Sequence, residues 1–244
     1  MKRSTVIILL VIVITVSLFS QSAEEIIRRY EKNQNIATTM ANGKILIYNQ
    51  FGMQEKTFKL WSRGTDDSLI VFTSKDEAGQ KILRTKKAIY LYYPDAEEII
   101  RLQGAALRNS VVGSDLSYED MTGGKSILDQ YNIESITEET VDETVCWVIT
   151  IKAKTNDIPY PVQKLWIIKS TYALKKSESY SLAGKLLKIV NVYKYTTVKG
   201  FVIPVHMVIQ DALKKNTKTE LILEDLHIND PVDPAIFSLQ NLSM

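Results

Sequence analysis

Gly79-Gln-Lys-Ile-Leu-Arg-Thr-Lys-Lys-Ala-Ile-Tyr-Leu-Tyr-Tyr-Pro-Asp-Ala-Glu-Glu-Ile-Ile-Arg-Leu102 holds three short runs, 80–85, 88–93 and 97–102, separated by turn residues. Each is too short for a helix that must bury a face, and Ile, Leu and Tyr suit a pleated surface. The pattern continues outward in both directions. Runs 43–49, 57–63 and 68–73 precede the stretch; runs 145–153, 164–169, 175–180, 185–195, 205–210 and 218–225 follow it. Arg63-Gly64-Thr65-Asp66, Ala183-Gly184-Lys185 and Lys199-Gly200 mark turns between them. Short strands at intervals of about 10 residues, without helices alternating between them, predict hairpin-linked antiparallel pairing. The expected fold is mainly β with short α: one large curved antiparallel sheet or partial barrel, in a single domain over residues 23–244.

Two segments depart from the strand pattern. Ser22-Ala-Glu-Glu25 reads as a capping box, and Ile26, Ile27 and Tyr30 then fall on one face of a short amphipathic helix. Residues 104–130 break the strand series in the middle, with Gly113, Gly123 and Gly124 among them, and read as short helices or a lid-like insertion. Ser114 or Asp115 is placed to cap a turn starting near Leu116.

Composition narrows the function. Thirty basic residues face 28 acidic ones, which leaves no excess charge to neutralise a run of phosphates, so nucleic acid is not expected as a partner. The single cysteine, Cys146, excludes an intrachain disulfide framework, and its setting in Thr-Val-Cys-Trp-Val-Ile is that of a small buried hydrophobe. Lys2 and Arg3, the apolar run from Val6 to Phe19, and the small residues Ser20 and Ser22 make residues 1–22 a secretory signal peptide cleaved after Ser22. Removing them takes both of their cations and leaves 28 basic against 28 acidic residues in an exported protein of zero formal charge.

No catalytic arrangement survives its mechanics. Gly123-Gly124-Lys125-Ser126 resembles the end of a phosphate-binding loop, but the earlier glycine would fall at Glu119, so a glycine turn is the better reading. Asp115, Glu119 and Asp120 lack the spacing of a calcium loop, and capping with surface solvation accounts for them. No Gly-x-Ser-x-Gly turn is present, and His206 and His227 read as two histidines on a sheet surface. An enzyme is not expected, nor a cofactor or metal.

The sequence offers instead an excess of apolar strand faces. Val145, Trp147, Ile149 and Ile151 share one side of a strand; Leu165 and Ile167 share another, opposed by Trp166 and Ile168. Leu69-Ile-Val-Phe72 and Ile89-Tyr-Leu-Tyr-Tyr93 are apolar on both faces, so they need a second cover: helices, another sheet or an apolar ligand.

Gly79 to Arg84, Ile89 to Pro94, Ile99 to Leu102 and above all Gly113-Ser-Asp-Leu-Ser-Tyr-Glu-Asp120 resemble the outer-membrane lipoprotein-sorting proteins related to LolA. Pro159-Tyr-Pro, Leu165-Trp166, Gly184-Lys185, Gly200 with Pro204, Thr219-Glu-Leu and Phe237-Ser-Leu-Gln-Asn-Leu242 extend the resemblance over residues 70–242. The LolA carrier itself is shorter and lacks the Gly-Ser-Asp signature, so the resemblance is to a divergent branch. It implies a periplasmic, half-open antiparallel barrel whose mouth is plugged by helices. Its cargo would be acyl chains of lipoproteins or related lipids, its donor an inner-membrane exporter, its acceptor the outer membrane, and its working form a monomer. The apolar concavity would be lined by Phe58, Leu60, Leu91, Tyr93, Val145, Trp147, Ile149, Leu165 and Ile167. Gly113, Ser114, Asp115, Ser117, Tyr118, Glu119 and Asp120 would belong to the lid, with Gly113, Gly123 and Gly124 giving it freedom. A lipid-sensing module and an envelope protein with a fully packed core are the alternatives.

Overall fold

The computed structural model describes residues 21–121 and 126–243. Most of the expected signal peptide lies outside the described residues, as do Gly123 and Gly124. α1 (Ala23–Gln34) begins at Ser22, whose hydroxyl accepts the Glu25 N–H at 3.2 Å. The return half of the expected capping box does not form, because the Glu25 carboxylate turns to the Arg29 guanidinium at 2.6 Å. Ala23, Ile26 and Ile27 are the buried positions of the helix.

Thirteen strands follow in one antiparallel sheet. β1 (Thr38–Asn49), β2 (Gly52–Arg63), β3 (Asp67–Phe72), β4 (Lys81–Arg84), β5 (Ile89–Tyr93) and β6 (Glu98–Leu102) form one meander. After the insertion come β7 (Tyr131–Val141), β8 (Thr144–Ala153), β9 (Val162–Ile168), β10 (Leu174–Tyr180), β11 (Leu186–Val198), β12 (Phe201–Asp211) and β13 (Lys218–Ile228). The strand order is β6-β5-β4-β3-β2-β1-β13-β12-β11-β10-β9-β8-β7, so the two meanders join where β1 pairs with β13. The sheet curls without closing, as the sequence predicts, and its two edges are β6 and β7. Strand twist accumulated over this many strands drives such curling.

All twelve expected runs are strands; β7 is the additional one. Tyr131-Asn-Ile-Glu-Ser-Ile-Thr-Glu-Glu-Thr-Val141 shows no apolar face, because most of the strand is exposed at a sheet edge, where charge guards against further pairing. The insertion leaves the end of β6 and returns at the start of β7, so it passes from one open edge to the other. It contains 3-10 turns at Gly104–Arg108 and Tyr118–Met121 and the four-residue α2 (Ile127–Gln130).

The inner face carries two apolar clusters. Ile45, Ile47, Phe58, Phe72, Ile82, Ile89, Leu91 and Leu102 pack against Val111 and Tyr118 of the insertion. Tyr131, Ile149, Ile151, Leu165 and Ile167 pack against Ala23, Ile26 and Ile27 of α1. Phe58 sits on Gly43, its cross-strand partner; a Cβ there would lie 2.1 Å from the ring. The strands apolar on both faces find their outer cover within the chain. Leu69, Val71, Leu83, Tyr90 and Tyr92 pack against Val232, Phe237 and Leu242 of the C-terminal segment, which ends in α3 (Leu239–Leu242). Their second face therefore needs no ligand. Cys146 is fully buried beside Trp166 and Ile168, and burial pushes its thiol pKa up, as befits a packing residue.

Candidate functional site

Between the second half of α1, the inner face of β2–β4 and the end of the insertion lies a cavity of about 860 Å3. That volume falls in the range of roughly 300–1,000 Å3 typical of small-molecule sites. Leu60, Ile70, Met121, Ile127 and Tyr30 supply apolar wall; Arg28, Lys32, Ser68 and Arg84 supply polar wall. A second cavity of about 340 Å3 lies over β10–β12, lined by Ile36, Leu174, Val192, Ile203 and Met207 among others. Tyr30 and Gln34 line both, so the end of α1 is the partition between them. Burial raises the Tyr30 phenol to about 12 and keeps it neutral.

α1 is tied at three places. The Asn33 side chain donates to the Thr171 carbonyl at 2.7 Å, and the Arg29 guanidinium donates to the Tyr172 hydroxyl at 3.0 Å. The Glu31 carboxylate accepts from the Ser126 hydroxyl at 2.9 Å and from the Ile127 N–H, which binds α1 to α2.

The Gly113 to Asp120 stretch is a fastening. Gly113 adopts φ +80°, which glycine takes without strain. The chain then turns Ser114 and Asp115 inward, where they are 0% and 3% exposed. Asp115 accepts from the Thr217 hydroxyl at 2.9 Å, pairs with Lys214 at 3.4 Å, and its backbone N–H donates to the Thr219 hydroxyl at 2.8 Å. Lys214 also donates to the Ser110 hydroxyl at 3.0 Å and the Ser114 carbonyl at 2.9 Å. Asp120 accepts from the Ser117 N–H at 2.7 Å, the Ser117 hydroxyl at 2.9 Å, the Tyr160 hydroxyl at 2.6 Å and the Lys188 ammonium, with which it forms an ion pair. Burial and the adjacent Asp120 push the Tyr160 phenol far up, so it remains a donor. Burial likewise raises the Glu119 carboxyl, against the pull of Arg108. Surface solvation is thus not the role of Asp115 or Asp120. The Ser114 hydroxyl accepts from the Leu116 N–H at 3.1 Å, the 3-10 turn itself starts later, behind Ser117, and the two carboxylates pin the insertion to β11 and to the β12–β13 hairpin.

The nine residues expected to line the concavity divide by location. Phe58, Leu91 and Tyr93 lie beneath the insertion, with Leu60 beside them at the cavity wall. Trp147, Ile149, Leu165 and Ile167 lie beneath α1, while Val145, at the far end of their face, is 47% exposed. Leu60 alone of the nine lines the larger cavity. Sequence reasoning misses Ile70, Ser68, Arg84, Tyr30, Met121 and Ile127. Inward alternation from Ile82 to Arg84 was a usable signal; the contribution of α1 and the insertion was not, because it depends on tertiary placement. His206 is half-buried and its Nε2 lies 2.9 Å from the Glu220 carboxylate, away from either cavity.

A family model described as "Uncharacterized protein"-like matches residues 64–244. No curated protein matches the chain. An outer membrane lipoprotein-sorting protein domain from Vibrio parahaemolyticus superposes with a TM-score of 0.82 at 19% identity, over 90% of this chain and 97% of that one. A DUF1329 family protein from Desulfovibrio piger gives 0.82 at 22% identity, over 89% and 96%. A LolA superfamily protein from Nitrosomonas europaea gives 0.73 at 21% identity, over 91% and 100%. The chain therefore belongs to the family whose model spans its residues 64–244, and its fold is that of the LolA-like, lipoprotein-sorting proteins.

Proposed function

We propose that this protein is a non-enzymatic carrier of the cell envelope, exported to the periplasm, that holds acyl chains of lipoproteins or related lipids in the concavity of its sheet. The observation that carries the reading is the pair of cavities on the concave face, partitioned by the end of α1, the larger of them also walled by the insertion that runs between the two open edges. Burying a methylene is worth about 0.8 kcal/mol, so a 16-carbon chain gains roughly 12 kcal/mol on leaving water. A protein that takes up such a chain must expose inner-face surface now held by its own segments. Displacing α1 would join the two cavities and uncover Trp147, Ile149, Leu165 and Ile167; lifting the insertion would uncover Phe58, Leu91 and Tyr93. Short covering elements are suited to this because they open at lower cost than the sheet beneath them.

The fold likeness supports the reading through one neighbour described as an outer membrane lipoprotein-sorting protein domain and another described as a LolA superfamily protein. An inner-membrane exporter as donor, the outer membrane as acceptor and a monomeric working form belong to the same proposal. The test is transfer. Donor vesicles carrying a fluorescent triacylated lipopeptide are mixed with acceptor vesicles, with and without the protein. The protein is expected to raise the transfer rate in proportion to its concentration and to leave the lipopeptide chemically unchanged. Transfer no faster than in buffer would refute carriage.

A further inference from the structure

The larger cavity has a polar end that an acyl tail alone does not use. On the inner face, Ser62, Ser68 and Arg84 are cross-strand neighbours on one rung of β2, β3 and β4. The turn residues Gly64 and Thr65 beside that rung also line the cavity. The next rung inward is Leu60, Ile70 and Ile82, and Phe58 with Phe72 follows. Rungs on one face lie about 6.6 Å apart, so polarity falls away within a single step. Across the cavity, Arg28 and Lys32 stand one turn apart on α1.

The carboxylates in this wall are already engaged: Glu31 by Ser126 and Ile127, Asp120 by Lys188, Tyr160 and Ser117. Arg28, Lys32 and Arg84 take part in none of the ion pairs among the described residues. Arg84 donates one long hydrogen bond, from Nε to the Ser68 hydroxyl at 3.4 Å. Burial pulls its guanidinium below the ordinary value, against the opposing effect of the Asp66 and Asp67 carboxylates. A half-buried cation of this kind gains from an anion brought to it in the same low-dielectric space.

We propose that this cavity takes an anionic amphiphile, with a phosphate or carboxylate head at Arg84, flanked by Arg28 and Lys32, and its tail along Leu60 and Ile70. The proposal rests on the carrier reading and adds the charge of the ligand to it. Calorimetric titration of the exported protein with dodecyl phosphate, laurate, dodecyl maltoside and inorganic phosphate separates the possibilities. Dodecyl phosphate or laurate is expected to bind at least 10-fold more tightly than dodecyl maltoside, and inorganic phosphate far more weakly than dodecyl phosphate. Arg84→Met, which keeps an unbranched apolar stem, is expected to abolish the preference while dodecyl maltoside affinity stays within 3-fold. Should R84M fail to fold, R28Q/K32Q, at exposed helix positions, is expected to reduce the preference at least 3-fold. Equal affinity for charged and neutral amphiphiles would overturn the proposal and leave the carrier intact. Inorganic phosphate binding as tightly as dodecyl phosphate would overturn it in favour of a plain anion site. Absence of binding by every amphiphile would defeat the carrier reading itself.

Discussion

At the residue scale, the structure ranks two aspartates that look alike in the sequence. Asp115 and Asp120 both anchor the insertion, but their partners differ in access to water. The Lys188 side chain paired with Asp120 is 9% exposed, whereas the Lys214 side chain paired with Asp115 is 34% exposed. Asp120→Ala strands a buried ammonium and should cost about 3–5 kcal/mol. Asp115→Ala lets Lys214 reach solvent and should cost about 1–3 kcal/mol, read by denaturant unfolding of both variants. A larger loss in D115A would contradict this ranking. Gly43→Ala drives a Cβ into the Phe58 ring and should cost about 1–3 kcal/mol, a loss that Phe58→Leu partly restores in the double variant. Glu220 carries a pH dependence. The Lys218 hydrogen bond holds its carboxyl below the usual range, burial opposes, and His206 adds to the lowering. Its contribution is therefore complete above the ordinary glutamate pKa and is lost as pH falls through the depressed one, so the melting temperature of E220Q should fall less steeply in acid than that of wild type.

At the element scale, what was legible in the sequence is what alternation encodes. Twelve strands announce themselves by apolar or alternating runs, and Ile26 with Ile27 announces the buried stripe of α1. β7 is silent because a solvated edge strand has no apolar face to display. β1 begins at Thr38, before the apolar run at 43, because its early residues belong by hydrogen bonding to β2 and β13 and not by hydrophobicity. The site was less legible. Alternation groups Trp147 with Ile149 and Leu165 with Ile167, yet cannot say that α1 covers them. Arg84 acquires meaning only through its register with Ser68. The helix cap carries a further consequence: Ser22 caps α1, and the Gln21 side chain accepts from the Tyr172 hydroxyl at 2.9 Å. A chain cleaved after Ser22 loses both, so it should unfold about 1 kcal/mol more easily than one that starts at Gln21. Equal stabilities would show that the cap contributes nothing. Hydrogen exchange should show residues 104–121 opening before the central strands, and D115A should accelerate that opening.

At the scale of the whole molecule, the sheet curls without closing, and the proposed carriage depends on that opening. A closed barrel of side chains would leave its core sealed. Here β6 and β7 remain apart, and the insertion that links them supplies the roof over one half of the concave face while α1 supplies the other. The outer faces of β3, β4 and β5 are covered by the C-terminal segment, so this part of the sheet has its outer apolar cover from the chain itself. Residues 23–244 are electrically balanced by count, with 28 basic and 28 acidic residues, so any preference for an anion would have to come from local placement, as at the Arg84 end of the cavity. Whether the concavity takes acyl chains is decided by native mass measurement of the protein purified without detergent and then titrated with a lipid. The expected result is a population shifted by the mass of one acyl species, or uptake of one on titration. A mass equal to the polypeptide alone that stays unchanged throughout the titration would contradict it and leave a packed envelope protein in its place.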